Sequence, residues 1–248
     1  MTDSRPDEKG NQQGPGAQIM RILSGAKREW PILLIFLLAA ASVWAFIALA
    51  GKVVANDTPA IDHQLLELFR DPEDPTRPIG SPWFREMMRD FTGLGGTGVL
   101  TLITLSAVGF FLLERKDSAA ALLAVAVLGG VVLNNVLKIG FGRPRPDLAA
   151  YEPFLSSASF PSGHSTMAAV VYLTIGALIA RLHPDPRVKI YVLTLSVLIT
   201  LIVGVTRVYL GVHWPTDVLA GWAVGSAWAL FCWLVALVLQ RRNAIEQT

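Results

Sequence analysis

The chain has 248 residues, of which 52% are hydrophobic and only 16% charged, with a mean hydropathy of +0.48. Soluble domains carry about 25% charged residues, so this composition argues against a soluble protein, and it excludes disorder for the bulk of the chain. The net charge of +2 points to no nucleic-acid partner, and the single Cys232 rules out an intramolecular disulfide and any cysteine-based zinc site.

In chain order, residues 1–29 come first. They are polar and lack the apolar core and small-residue cleavage site of a signal peptide. Their first part reads as disordered. Ile19, Ile22, Leu23 and Trp30 then fall near helical spacing beside Arg21, Lys27 and Arg28, which fits an interfacial helix as well as it fits a polar tail. A bilayer core takes about 20 apolar residues as helix. Six runs qualify within a domain spanning 30–240: residues 31–50, 94–113, 119–137, 165–182, 188–205 and 218–239. Residues 241–248 form a short polar tail.

Lipid offers no partner to free backbone groups, so the spans are helices. Alternating strands of an outer-membrane barrel are not seen. The fold class is therefore all-α, an integral membrane six-helix bundle. Between the first two spans lies the one sizeable extramembrane segment, 51–91. Ile61, Leu65, Leu68 and Phe69 recur there at helical spacing and predict an amphipathic helix on the outer surface, followed by an irregular Pro- and charge-rich loop over 71–82.

Orientation follows from Lys and Arg. With a cytoplasmic N-terminus, the inner segments hold twelve of them and the outer segments nine. Five of the nine lie in 51–91 among acids, and the other four lie in polar clusters at span ends. Both termini are thus expected in the cytoplasm.

In so apolar a chain the informative residues are the polar ones at span edges. Three clusters fall on the outer side. Lys138, Arg143, Arg145 and Pro146 follow the third span. Pro161, Ser162, Gly163 and His164 open the fourth. Arg207, His213 and Asp217 bracket the turn between the fifth and sixth. Arginine presents a rigid fork that pairs with phosphate oxygens. Gly163 at a helix start lets an anion approach unsatisfied backbone N–H groups. Together these describe a site for a multiply charged anion such as phosphate. Pro215 can start a helix with Asp217 in its first turn. From there a carboxylate can accept from one nitrogen of His213 and leave the other as a nucleophile, while His164 serves as the opposing acid.

Other polar features read as structural. Arg181 and Arg241 are interfacial anchors, His63 and His183 are solvated, and Gly221 with Gly225 forms a helix-packing spacing. Tyr209 and Trp214 read as belt aromatics.

The three clusters resemble the motifs of the type-2 phosphatidic acid phosphatase superfamily, which includes lipid phosphate phosphatases and vanadium haloperoxidases. Lys138 with Arg145-Pro146 matches the first motif, Pro161 to His164 the second, and Arg207, His213 and Asp217 the third, where Thr206 stands in place of the family's serine. The resemblance covers roughly residues 90–240. It implies that Lys138, Arg145 and Arg207, aided by Ser162 and the Gly163 backbone, bind phosphate. His213 would form a phosphohistidine, Asp217 would orient it, and His164 would protonate the leaving group. No metal or other cofactor is implied, since cations of the chain neutralise the phosphate.

The expected activity is a metal-independent phosphatase acting on a membrane lipid phosphate. Candidate substrates are undecaprenyl pyrophosphate, phosphatidylglycerol phosphate, phosphatidic acid and lipid A phosphates. Alternatives are a lipid phosphoryl transferase on the same site or an anion transporter. The partners are the bilayer and the lipid substrate. The compact chain suggests a bacterial inner-membrane protein with its site facing the periplasm or exterior. Head-group selection is assigned to 51–91 and 147–160.

Overall fold

A computed structural model describes residues 15–147 and 158–245. These form eight helices: α1 (Pro15–Val54), α2 (Pro59–Glu67), α3 (Pro82–Gly93), α4 (Thr97–Leu113), α5 (Asp117–Phe141), α6 (Gly163–Leu182), α7 (Pro186–Tyr209) and α8 (Pro215–Ile245). Among the described residues there is no strand, only a bridge between Arg70 and Pro78. Helices α1, α5, α6, α7 and α8 each contain a stretch long and apolar enough to cross a membrane, and α3 with α4, bent by 49° at their junction, makes a sixth when the two are taken as one broken span. The protein is an all-helical, integral membrane bundle.

Two elements differ from their sequence reading. The second span is not one straight helix from residue 94. Helix α4 has 17 residues, about 26 Å at 1.5 Å per residue, which is short of a ~30 Å hydrocarbon core. The chain breaks at Leu94–Gly96 because α7 and α6 press on it there. A Cβ on Gly95 would collide with the Val203 side chain and stand 3.2 Å from Cβ of His164. On the other side of the break is α3, which the sequence reading left unassigned. Ser81 caps it, its hydroxyl accepting from the Phe84 N–H at 3.3 Å, and Pro82 fills the first turn.

The first span also differs, because α1 continues unbroken from Pro15 to Val54 and residues 19–30 extend its helix. The expected disorder at the N-terminus falls on residues 1–14, outside those described.

The centre of the bundle is α6. Of its apolar window 61% is buried, against 0% for α1. It packs against α5, α7 and α8. Helices in lipid associate through close packing of small residues, and α6 supplies Ser165, Ala168, Ala169 and Gly176. Gly221 and Gly225 of α8 seat on that face. A Cβ on Gly221 would come within 2.8 Å of the Ser162 carbonyl oxygen, and one on Gly225 within 2.8 Å of the Ala169 Cβ. The outward faces keep Leu33, Phe36, Leu102, Leu128, Val132 and Ile190 exposed, an apolar belt suited to acyl chains.

The extramembrane segment is anchored to the bundle. Arg70 is buried and its Nη2 donates to the carbonyls of Val208 at 3.1 Å and Tyr209 at 2.7 Å, satisfying groups left open at the end of α7. In α2, Ile61 stays exposed while Asp62 and Leu66 bury, Leu66 against Val208 and Val218. The C-terminal ends of α5 and α7 and the N-terminal ends of α6 and α8 thus meet at one end of the bundle.

Candidate active site

The cations of the site come from helix ends. Lys138 lies in the last turn of α5, which Gly142 closes in the left-handed region (φ 57°), its N–H donating to the Lys138 carbonyl. Lys138 Nζ donates to the Ala158 carbonyl at 2.6 Å. Arg207 occupies the last turn of α7. The residue is 1% exposed and its Nη1 donates to Thr92 Oγ1 of α3 at 3.1 Å. Arg145 follows α5 on the Pro-bracketed strip 143–146 and donates through Nη1 to the Val212 carbonyl at 2.8 Å.

Opposite them, α6 starts at Gly163 behind Ser162, whose N–H donates to the Asp217 carbonyl at 3.0 Å. Ser162 is fully buried and its hydroxyl accepts from Ser165 Oγ. A Cβ on Gly163 would stand 3.4 Å from Asn134 Nδ2 and 3.5 Å from Lys138 Cε, so the first backbone groups of α6 face the cations. His164 sits in that first turn.

His213 lies between an acid and a guanidinium. Its Nδ1 lies 3.4 Å from Asp217 Oδ2, and its Nε2 lies 3.1 Å from Arg145 Nη1. A guanidinium can only donate. Nε2 is therefore the acceptor, and the ring proton sits on Nδ1 facing the carboxylate. His213 is 1% exposed. Burial first, then Arg207, Arg145 and Lys138, hold its pKa well below the ordinary value, so the ring is neutral with its lone pair on Nε2. The same three cations lie within electrostatic reach of His164.

Asp217 is fully buried. It falls in the first turn of α8 behind Pro215 and reaches back to the Trp214 N–H at 3.0 Å, one half of a capping box. Its other oxygen accepts from Arg143 Nη1 at 2.6 Å.

All eight residues singled out in the sequence, Lys138, Arg145, Ser162, Gly163, His164, Arg207, His213 and Asp217, come to this one end of the bundle. Sequence reasoning missed others. Thr92 braces Arg207, and Asn134 lies beside Gly163. Arg143, which the sequence placed in the basic cluster beside Arg145, instead bridges Asp217 to Asp62 of α2.

Of the two aromatics read as belt residues, Tyr209 departs from that reading. Tyr209 is 1% exposed and its hydroxyl donates to the Ile79 carbonyl at 2.6 Å. Trp214 Nε1 donates to the Pro144 carbonyl at 3.1 Å, with Arg143 over its ring. Tyr209 is buried because extramembrane residues cover this end of the bundle, whereas Trp214 stays half-buried. His63 is exposed and rests edge-on against Trp214. Among the described residues no group of three or more His, Cys, Asp or Glu is arranged to hold a metal. Of the stretch assigned to head-group selection, 148–157 lies outside the described residues.

The sequence pattern of the PAP2 superfamily matches residues 119–241. The chain is 40% identical over 151 residues to phosphatidylglycerophosphatase B of Bacillus subtilis, covering 59% of this chain and 72% of that protein. It belongs to the PAP2 superfamily. It is also 31% identical over 180 residues to a lipid A 1-phosphatase of Rhizobium etli, covering 63% of this chain and 72% of the relative. The crystal structure of a transmembrane PAP2-type phosphatidylglycerolphosphate phosphatase from Bacillus subtilis superposes with a TM-score of 0.67 at 31% identity, over 78% of this chain and 93% of that one. These PAP2 relatives are phosphatases of lipid phosphates.

Proposed function

We propose that this PAP2 protein removes phosphate from a membrane lipid, as a monoester or pyrophosphate, through a phosphohistidine on His213. The observation that carries this reading is the His213 tautomer: Nδ1–H toward Asp217 and an accepting Nε2 among three cations.

In the first step Lys138, Arg145 and Arg207, with the Ser162 hydroxyl and the Gly163 N–H, hold the phosphate. Arg145 exchanges Nε2 for a phosphate oxygen. Nε2 attacks phosphorus, the P–O bond to the lipid breaks, and His164, protonated once the bound phosphate offsets the cations around it, donates that proton to the departing oxygen. Asp217 stabilises the charge that develops on the imidazole. In the second step His164 takes a proton from water, the hydroxyl oxygen attacks phosphorus, and the N–P bond breaks to release inorganic phosphate. The arginines and lysine meet the charge of the transition state from fixed positions, and on that ground the reaction is read as metal-independent.

The bilayer boundary at this end of the bundle lets acyl chains remain among the spans. Undecaprenyl pyrophosphate, phosphatidylglycerol phosphate, phosphatidic acid and lipid A phosphates share the phosphate that the site reads. We place phosphatidylglycerol phosphate first, supported by the Bacillus subtilis relatives named for its hydrolysis. Six spans return both termini to one side, and the Lys and Arg distribution favours the cytoplasm for them, with the site on the exterior or periplasmic face.

The test is phosphate release from this lipid panel by purified protein in detergent. One lipid is expected to be preferred, with activity surviving EDTA and falling by more than about 10³-fold in His213→Ala. Full activity in that variant overturns the reading, and loss of activity in EDTA overturns metal independence.

A further inference from the structure

We infer that Arg143 and Asp62 are positioning residues for Asp217, an inference that rests on the reading of His213 above. Arg143 lies two residues before the phosphate-binding Arg145 yet turns away from it. Nη1 donates to Asp217 Oδ1 at 2.6 Å and to Thr216 Oγ1 at 2.8 Å. Nη2 donates to Asp62 Oδ2 at 2.7 Å and to Thr58 Oγ1 at 3.0 Å. Asp62 is fully buried and also takes the Thr216 N–H at 3.0 Å on Oδ1 and the Thr216 hydroxyl at 2.8 Å on Oδ2.

A buried carboxylate is tolerated only when it is paired and hydrogen-bonded. Arg143 provides that pairing on one oxygen of Asp217 and leaves the other to His213 and the Trp214 N–H. Its planar fork fixes the plane of the carboxylate in a way a point charge does not. Asp62, from a helix outside the six-span core, holds the fork in turn. The relay therefore runs Asp62, Arg143, Asp217, His213.

Asp62→Asn keeps the shape and removes the charge. Arg143→Lys keeps the charge and removes the fork. Both are expected to lower kcat about 10- to 100-fold, the range typical of outer-shell partners, with KM unchanged. Asp62→Asn is expected to lower the melting midpoint while leaving the protein folded at the assay temperature. A fall in kcat that only tracks the folded fraction overturns the relay, as does wild-type kcat in both variants beside an inactive His213→Ala. Activity surviving His213→Ala overturns the underlying reading and the relay with it.

A separate observation lies at the far end of the bundle. A groove of about 750 Å³ opens between the start of α5 and the ends of α6 and α8. Its walls are apolar, among them Leu122, Leu178 and Phe231, while Arg115, Lys116 and Arg181 against one acid, Asp117, stand at its rim. Arg181 is held in place over the Trp233 ring, 5.6 Å from its centroid, and bonds Gln240. Lys138 lies 21 residues along α5 from Asp117, so the groove is about 30 Å from the phosphate site.

We propose that this groove holds one anionic phospholipid, acyl chains inside and phosphate at the basic rim. Basic pockets between spans take anionic head groups in this way. The test is native mass spectrometry of the purified protein with phosphatidylglycerol or phosphatidylcholine added. The wild type is expected to retain phosphatidylglycerol roughly tenfold better. Arg115→Gln/Lys116→Gln/Arg181→Gln is expected to lose that preference while still releasing phosphate. Ala236→Trp, which fills the groove and leaves the rim intact, is expected to lose it too. Equal retention of the two lipids, or a preference unchanged in either variant, overturns the proposal.

Discussion

His213 is a neutral base among cations, and its protonation is costly for that reason. Its pKa lies well below the ordinary value through burial first and then through Arg207, Arg145 and Lys138. The neutral form that the proposed attack requires therefore persists as pH falls through about 6.5, where an unperturbed histidine titrates. The acid limb of kcat/KM, which reports the free enzyme, is expected below pH 6.5 and to move upward in Arg145→Gln; a wild-type limb centred at 6.5 would contradict this. Stability carries the same sign. Below its ordinary pKa the unfolded chain binds a proton that the folded His213 does not, so this contribution is intact above about pH 6.5 and shrinks as pH falls. Much of this was legible in the sequence because the motif residues sit at short, fixed spacings. Thr92 and Asp62 were not, since their partners Arg207 and Thr216 lie 115 and 154 residues away, and no local pattern records such a pairing.

Elements were legible where lipid imposes one solution. Long apolar runs must be helices, and five of the six spans match single helices. The bent second span was hidden, because its break answers to the side chains of Val203 and His164 and hydropathy carries no record of them. Ser81-Pro82 did signal the start of α3, but the charges around it read as loop. Close packing of α8 on α6 gives a prediction at this scale. Gly221→Leu would push into the Ser162 carbonyl and Ser165, displacing the start of α6. Overpacking of this kind costs about 1–3 kcal/mol, so a lower melting midpoint and reduced phosphate release are expected. Gly140→Ala, on an open face of α5 with nothing within 4 Å, should leave phosphate release unchanged. Equal effects from the two would argue against the packing account.

At the scale of the whole molecule, the orientation is open to direct measurement. Cys232 is buried at 6% exposure and should give little background with an impermeant thiol reagent. Glu73→Cys, on the side of the catalytic end, is expected to label in intact spheroplasts. Ser118→Cys, at the opposite end, should label only after permeabilisation. The reverse pattern would invert the topology and put the site in the cytoplasm. The six-span count and the meeting of three motifs at one end were both readable, since alternating spans sort the segments between them by side. The docking of α2 over that end was not, because extramembrane packing leaves little trace in hydropathy.

The strip from Arg143 to Pro146 touches both ends of the Asp217–His213 pair. One arginine meets the outer oxygen of Asp217, the other the outer nitrogen of His213. The Pro144 carbonyl between them accepts from Ser159 Oγ and Trp214 Nε1, and proline fixes φ. The two guanidinium groups therefore work as a ruler laid across the pair, and its length is set by a single residue. A glycine inserted between Arg143 and Pro144 would preserve every charge in the site and still leave it mismeasured.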